Sequence, residues 1–191
     1  MTLNGLLQKS PASLPILQAT FGLERESLRI SKINHRVAQT KHPEILGSRS
    51  FHPYIQTDYS EPQIELITPI ANSTSEVLRF LGAITDVIGR SINKDEYLWP
   101  LSMPPKLTAD EIAIASLEDH WERQYRDHLA KVYGKVLQSM SGIHYNMELG
   151  ANLVTALFEE SDYTSLIAFK NDLYLKLAQN FLRFRWLLTY L

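Results

Sequence analysis

The sequence contains no cysteine among its 191 residues. This absence excludes a thiol nucleophile, a disulfide framework and any zinc or iron–sulfur site built on thiolates. It is also typical of proteins in a reducing compartment, so the expected location is the cytoplasm. A chain of this length can bury a sizeable core without covalent or metal cross-links.

Strong net charge and long apolar runs are lacking too. The formal net charge is -2 and charged residues make up 21% of the chain, which leaves no basic surface of the kind that nucleic acids require. No segment approaches the roughly 18 uninterrupted apolar residues of a membrane span, and residues 1–18 do not have the pattern of a leader peptide. We therefore expect a soluble, unprocessed protein that binds neither nucleic acid nor a membrane.

The patterns that are present predict an α+β fold. Three segments have the composition of strands: 21–30, 55–68 and 141–149. Pro62 predicts a bulge or a sheet edge in the second of them. Ser73 and Thr108, each followed three residues later by glutamate, predict the starts of two helical regions.

Three further segments complete the outline of the chain. Trp121, Tyr125, Leu129 and Val132 fall on one face of the second helical region, and Gly134 is a suitable end for it. The stretch WPLSMPPKL is too rich in proline for a helix or a central strand. Residues 169–191 have an apolar helical pattern that stops without a glycine cap or a polar tail, so we expect the chain to be the front part of something longer.

Polar side chains alternate with apolar ones along the three predicted strands, which places each polar set on one face. In a shared antiparallel sheet, helices would cover one face and the other would be acidic. The acidic face would carry Glu24, Glu26, Glu61, Glu65 and His144, with Asp58 near a strand end. Carboxylates two residues apart on a strand lie roughly 6.5 to 7 Å apart and repel each other by about 2 kcal/mol at an effective dielectric near 20.

Such a face must be open to water, hold protons or bind cations. Oxygen ligands with one imidazole suit magnesium or manganese, and protein-bound magnesium usually also contacts phosphate. The pattern therefore indicates a site for a nucleotide triphosphate. No glycine-rich phosphate loop is present, so metal and carboxylates would have to hold the nucleotide.

A solvated sheet face explains the same alternation, and for an isolated pair of glutamates it is the better explanation. Taken singly, Arg25 and Arg29 are expected to be solvated or ion-paired surface residues. His144 alone would be a hydrogen-bonded structural histidine. The functional interpretation depends on three segments offering acids or histidine to one face.

Four stretches, in order and spacing, resemble a known family. FGLERESLR, HPEILGSRSFHPYIQTDYSEPQIELITP, WPLSMPP and SGIHYNMEL are similar to the N-terminal part of bacterial glutamate-cysteine ligase. The similarity is greatest to the ligase portion of bifunctional bacterial enzymes that also carry an ATP-grasp glutathione synthetase module, and it runs from about residue 3 to residue 191.

The resemblance implies ATP-dependent joining of L-cysteine to the γ-carboxylate of L-glutamate through a γ-glutamyl phosphate. It implies an antiparallel sheet of the glutamine synthetase-like type, whose inner face binds magnesium, or alternatively manganese. Glu24, Glu26 and Glu65 would be catalytic. The implied metal ligands are Glu24, Glu26, Asp58, Glu65 and His144.

The resemblance also implies contacts with the substrates. Tyr59 falls where the family contacts the cysteine side chain, and Asn146 would position substrate or phosphate. Glu61 lies near the same cleft without an implied role. In the family, further carboxylates and the arginine that holds glutamate lie downstream. The resemblance therefore implies that residues 1–191 are the N-terminal part of one glutamate-cysteine ligase catalytic domain, truncated at its C-terminal end, and the chain alone is expected to be inactive.

Three alternatives stay open from the sequence. The first is a carboxylate–amine ligase that uses an amine other than cysteine. The second is a non-catalytic remnant or binding module with an acidic face. The third, two-metal hydrolysis of phosphodiesters, also uses acidic clusters, but the sequence lacks the basic surface that nucleic acid favours.

Overall fold

The computed structural model describes residues 19–117 and 119–190. They fall into two compact units: one runs from Thr20 to Met147, and the other contains Ala19 and the described residues from Glu148 onward. The prediction about a leader peptide concerns residues 1–18 and lies outside the described residues. No helix within the described ranges is both long enough and apolar enough to cross a membrane.

Five strands and five α-helices make up the described chain. The strands are β1 (Ala19–Ser31), β2 (Ile55–Thr57), β3 (Gln63–Ile67), β4 (Glu96–Leu98) and β5 (Ile143–Leu149). The helices are α1 (Thr74–Ser91), α2 (His120–Tyr133), α3 (Ala151–Glu159), α4 (Leu166–Phe184) and α5 (Trp186–Tyr190). Single 3₁₀ turns occupy Glu44–Leu46, Ala109–Glu111 and Leu137–Ser139.

The five strands form one sheet around the long strand β1. The strand order is β2-β3-β1-β4, and β5 also pairs with β1. β1 runs antiparallel to both β3 and β4, with Glu26 directly opposite Glu65. The predicted α+β fold with an antiparallel sheet is therefore confirmed.

Helix α1 covers one face of this sheet. Its start is the predicted one: the Ser73 hydroxyl accepts a hydrogen bond from the Glu76 amide at 3.2 Å. The Glu76 carboxylate accepts from the amide of Asn72, one residue before the cap. The helix buries its apolar side against side chains from three strands and the first 3₁₀ turn, and the buried members of this cluster are Leu46, Ile55, Ile64, Leu66, Ile88 and Ile92.

The predicted second strand is in fact a hairpin. β2 ends at Thr57 and β3 begins at Gln63, and the residues between them, which include Pro62, form a turn. The amide of Asp58 donates to the carbonyl of Gln63 and closes this turn. The prediction of one continuous strand, with a bulge or a sheet edge at Pro62, was therefore wrong. Pro62 lies in the turn just before β3, where a missing amide hydrogen costs no strand pairing, and its carbonyl still accepts from the amide of Arg29.

The second helical region starts later than Thr108 indicates. Thr108 and Glu111 do form a capping box, but it caps only a 3₁₀ turn. Helix α2 begins at His120, and its cap is Asp119, whose side chain accepts from two backbone amides. Gly134 ends the helix in a positive-φ conformation, as predicted.

The apolar faces of helix α2 and strand β5 are not covered by the described residues. On α2, the side chains of Trp121 and Tyr125 are 76% and 61% exposed. On β5, Ile143 and Tyr145 are 63% and 54% exposed. The prediction that helices cover one face of the sheet therefore holds for the part of the sheet under α1.

Arg29 is buried, which overturns the expectation of a surface arginine. Its side chain is 2% exposed and pairs at 3.0 Å with Glu96, which is 4% exposed. The guanidinium also donates to the hydroxyl and carbonyl of Thr40 and to the carbonyl of Glu61. Four acceptors on three segments satisfy its donors, and this compensates the cost of burying the charge. Arg25 is partly exposed.

From Ala151 onward the described part of the smaller unit is mainly helical, and the apolar pattern of residues 169–191 predicted the last of these helices. Leu153, Val154 and Leu157 of α3 pack against Phe169 of α4. The loop between these helices is attached to α4 by a hydrogen bond from the Tyr163 hydroxyl to Asp172.

Glu96→Gln should lower the free energy of unfolding by about 3 kcal/mol, because it leaves Arg29 as an unpaired buried charge. Urea unfolding at neutral pH measures this change. The control is Lys176→Gln, which breaks an exposed ion pair with Asp172 and should cost less than about 1 kcal/mol. Equal losses for the two variants would contradict the structural importance of the buried pair.

Candidate active site

Strand register gathers four of the predicted acidic side chains on the sheet face opposite α1. Glu24 and Glu26 are two residues apart on β1, and Glu26 lies directly across from Glu65 on β3. Directly opposed residues on antiparallel strands have Cβ atoms about 5 Å apart. Asp58 comes immediately after β2, and its charge acts on both Glu26 and Glu65.

β5 brings His144 and Asn146 to the same group. The Nδ1 atom of His144 lies 3.1 Å from Glu24, and its Nε2 atom lies 3.7 Å from Glu26. The side-chain amide of Asn146 donates to Glu24 at 2.8 Å. Glu26 is in turn fixed to the start of this segment, since it accepts from the amide of Gly142 at 2.9 Å. The predicted site residues therefore meet in space, although their chemical roles stay predictions.

Three of the carboxylates have raised pKa values. Burial, with the charges of Asp58, Glu24 and Glu26, raises the pKa of Glu65 to about 7. Burial is also the main cause of the raised pKa of Glu26 and of Asp58. Nearby His144 opposes all three shifts and Arg126 opposes that of Asp58, but both do so only in part, so the nearby positive charge does not fully compensate these acids.

Glu61 does not belong to this group. Its carboxylate pairs with Arg49 at 2.5 Å and accepts from the amide of Ser116 at 2.9 Å. Burial alone would raise the pKa of Glu61, but these two hydrogen bonds lower it below the ordinary value. Placing Glu61 on the acidic face was therefore wrong: it lies in a turn, where period-two alternation does not apply.

A cavity of about 350 Å³ opens beside the carboxylates. Its walls include Glu26, Asp58 and Tyr59, together with side chains from α2 and the turn that follows it; these last are Tyr125, Arg126, Leu129, Leu137, Gln138 and Met140. Tyr59 is 3% exposed, and its hydroxyl has no hydrogen-bond partner among the described residues.

Sequence reasoning missed the residues that α2 contributes to this cavity. Arg126 donates from Nε to the carbonyl of Asp58 at 2.8 Å, and Tyr125 lines the wall. The feature of the sequence that could have indicated this contribution was Tyr125, an aromatic residue on the short apolar face of α2. That signal also fits ordinary core packing, which is why it carried no functional prediction.

The donor types fit a magnesium or manganese ion. Glu24, Glu26, Asp58 and Glu65 supply hard oxygen atoms and His144 supplies an imidazole. A cation would stabilise the charged forms of Glu26, Asp58 and Glu65, whose pKa values are raised mainly by burial. Within residues 19–117 and 119–190, no three acidic or histidine side chains are already arranged to hold an ion. An ion held by three or more of these side chains would therefore require them to move.

A match to a family model places the chain among the ligases. The sequence model of the family "Glutamate-cysteine ligase" matches residues 5–191, so the chain belongs to the glutamate-cysteine ligase family. The resemblance found in the sequence is confirmed.

Relatives and solved structures agree with this assignment. The chain is 70% identical over its whole length to the glutathione biosynthesis bifunctional protein of Streptococcus mutans, of which it covers 25%. A crystal structure of a bifunctional glutathione synthetase from Pasteurella multocida has a TM-score of 0.92 at 43% identity, with 100% of this chain and 25% of that chain covered. A glutamate–cysteine ligase from Francisella tularensis, solved in complex with AMP, has a TM-score of 0.85 at 30% identity, with coverages of 91% and 34%. The chain thus spans about a quarter of the length of its bifunctional relatives.

Glu65→Gln should weaken the dependence of stability on pH. A carboxyl whose pKa is raised to about 7 on folding stabilises the fold fully below the unfolded pKa near 4.5, and this stabilisation is lost as the pH rises towards 7. The melting temperature of the wild type, relative to that of the variant, should therefore fall between pH 5 and pH 8. Thermal unfolding across this range tests the prediction, with Glu76→Gln at the start of α1 as a control that keeps the wild-type dependence. Parallel curves for wild type and Glu65→Gln would refute the shift.

Proposed function

We propose that this chain supplies the acidic face of a ligase that joins the amine of L-cysteine to the γ-carboxylate of L-glutamate with ATP. The observation that carries the proposal is the crowding of Glu24, Glu26, Asp58 and Glu65 with insufficient positive charge. Such a face suits a divalent cation that is also bound to phosphate groups. Membership of the glutamate-cysteine ligase family supports this identification.

The proposed chemistry begins with transfer of the terminal phosphoryl group of ATP to the γ-carboxylate of glutamate, which forms the acyl phosphate and releases ADP. When bound, magnesium or manganese would neutralise the charge that develops on the phosphate oxygens. The side chains proposed to hold it are Glu24, Glu26, Asp58, Glu65 and His144. Asn146, already attached to Glu24, would orient a phosphate or carboxylate oxygen. The AMP complex of the Francisella relative supports a nucleotide co-substrate.

The second step is attack of the cysteine amine on the acyl phosphate, which releases phosphate. We propose that the cavity beside Asp58 and Tyr59 receives the cysteine, because it opens next to the carboxylates and combines apolar walls with polar ones. The unpaired Tyr59 hydroxyl would face the thiol side chain. Another small amine fits the same description and is the competing substrate class.

The rest of the proposed enzyme would come from further polypeptide. The matched bifunctional relatives are about four times as long as this chain, and an ATP-grasp glutathione synthetase module is part of the proposal. We also propose a cytoplasmic location, in agreement with the absence of cysteine.

Glu24→Gln and Glu65→Gln, made in the full-length protein that carries this chain, should each reduce ATP-dependent formation of γ-glutamylcysteine at least about 100-fold, since each removes a charge that would hold the cation. The melting temperature should not fall, because like-charge repulsion is relieved. Product is measured by chromatography at saturating magnesium. Glu76→Gln is the control and should keep full activity; an active Glu24 or Glu65 variant would remove that residue from the proposed set.

The 191-residue chain on its own should form no γ-glutamylcysteine, whereas the full-length protein should. The reason is that the exposed His144, 58% accessible, leaves the site open to water, and water would hydrolyse an acyl phosphate. Both proteins are assayed side by side with ATP, magnesium, glutamate and cysteine. Steady turnover by the chain alone would contradict the proposal that further polypeptide completes the site.

A further inference from the structure

The turn between β2 and β3 presents two site residues from one short segment. Asp58 and Tyr59 both line the cavity beside the carboxylates. β2 has only three residues, so pairing of the hairpin strands alone holds the turn weakly. Its position therefore depends on contacts made by the turn itself.

The side chain of Glu61 joins this turn to two distant segments. Its Oε1 atom accepts from the Arg49 guanidinium at 2.5 Å and from the backbone amide of Ser116 at 2.9 Å. The two charged side chains are 15% and 11% exposed, so water screens the pair only in part. An ion pair that is mostly shielded and further hydrogen-bonded resists displacement far better than one on an open surface.

Backbone contacts attach the same turn at its other points. The Glu61 amide donates to Ala113, and the amide of Ala115 donates to the carbonyl of Tyr59. The carbonyl of Glu61 accepts from buried Arg29 at 2.9 Å. The pair with Arg49 reaches the long connection between β1 and β2 and joins that connection to the turn through side chains. A hydrogen bond from the backbone of His42 to Glu61 reaches the same connection.

We propose that Glu61, through its pair with Arg49, is a positioning residue that fixes Asp58 and Tyr59 at the carboxylate face. It acts through the turn and touches neither cation nor substrate. This inference rests on the proposed function, in which Asp58 helps to hold the cation and Tyr59 contacts cysteine. Displacement of a reacting group by about 1 Å can cost up to about 100-fold in rate, so a small shift of the turn is enough to be measured.

The test compares Glu61→Gln and Arg49→Gln in the full-length protein. Each should raise the KM for cysteine and the magnesium concentration for half-maximal activity by about 10-fold, with kcat reduced less than about 3-fold. The double variant should be no worse than the more affected single variant, since both changes break one interaction. The matched control is Arg36→Gln, which breaks the pair between Arg36 and Glu111 and should leave both constants unchanged.

Hydrogen exchange gives a readout that does not need activity. In both variants the amides of Asp58, Ala115 and Ser116, which are hydrogen-bonded in or against the turn, should exchange faster, while the amides of α1 should not. A fall in kcat with unchanged KM values would overturn the proposal, because a loss of folded protein has that effect. Equal effects from Arg36→Gln, or unchanged exchange at the turn, would overturn it as well.

The same experiment separates this inference from the proposed function. If the wild type forms no γ-glutamylcysteine while the variants still speed exchange at the turn, the proposed function fails and the contact between Glu61 and the turn stands. If the wild type is active and the variants behave like it, the proposed function stands and the positioning role fails.

Discussion

Repulsion among carboxylates on one sheet face is the constraint on which the rest of this structure depends. Directly opposed Glu26 and Glu65, with charges about 5 Å apart, would repel each other by about 3 kcal/mol at an effective dielectric near 20. Glu24 and Asp58 add to this cost: burial is the main cause of the raised pKa of Glu65, and the charges of Asp58, Glu24 and Glu26 raise it further. A marginally stable domain tolerates such a site only if other contacts hold the strands in register. Apolar packing under α1 and the long pairing of β1 with β3 provide those contacts.

The protein contains two kinds of buried or half-buried charged side chain. One kind has compensating partners and stabilises the structure, and the other kind lacks them and is the candidate for function. Arg29, Glu96 and Glu61 have compensating partners, so their charges stabilise the connections around the sheet. Glu26 and Glu65 face other acids, and among the described residues the basic side chain that acts on both is His144, which is 58% exposed. Groups that are already satisfied gain little from a ligand. Groups that repel one another gain from a cation, and this asymmetry is a physical reason to look for chemistry at the second set.

The strand pattern predicted the acidic face, because period-two alternation depends only on local geometry. It placed Glu24, Glu26 and Glu65 together and, with β5, His144 and Asn146. The pattern failed for Glu61, and the separate expectation of a surface arginine failed for Arg29. The surroundings of both depend on partners far away in sequence: Ser116 for the first, Glu96 for the second. The hairpin at 55–68 was not predicted, because its strands are short and the alternation of polar and apolar residues continues across the turn by chance.

Exposure at the site limits what the described residues can do by themselves. Side chains of β5 from Ile143 to Glu148 are exposed, and Glu24 is 33% exposed at the position where it contacts His144. An acyl phosphate survives long enough to meet an amine only where water is excluded. The cavity beside Tyr59 would shield the intermediate from water on the side of β2 and α2. On the side of β5, the described residues leave the site accessible to water. The proposed reaction therefore requires additional residues over β5, placed so that they cover His144 without displacing it from Glu24.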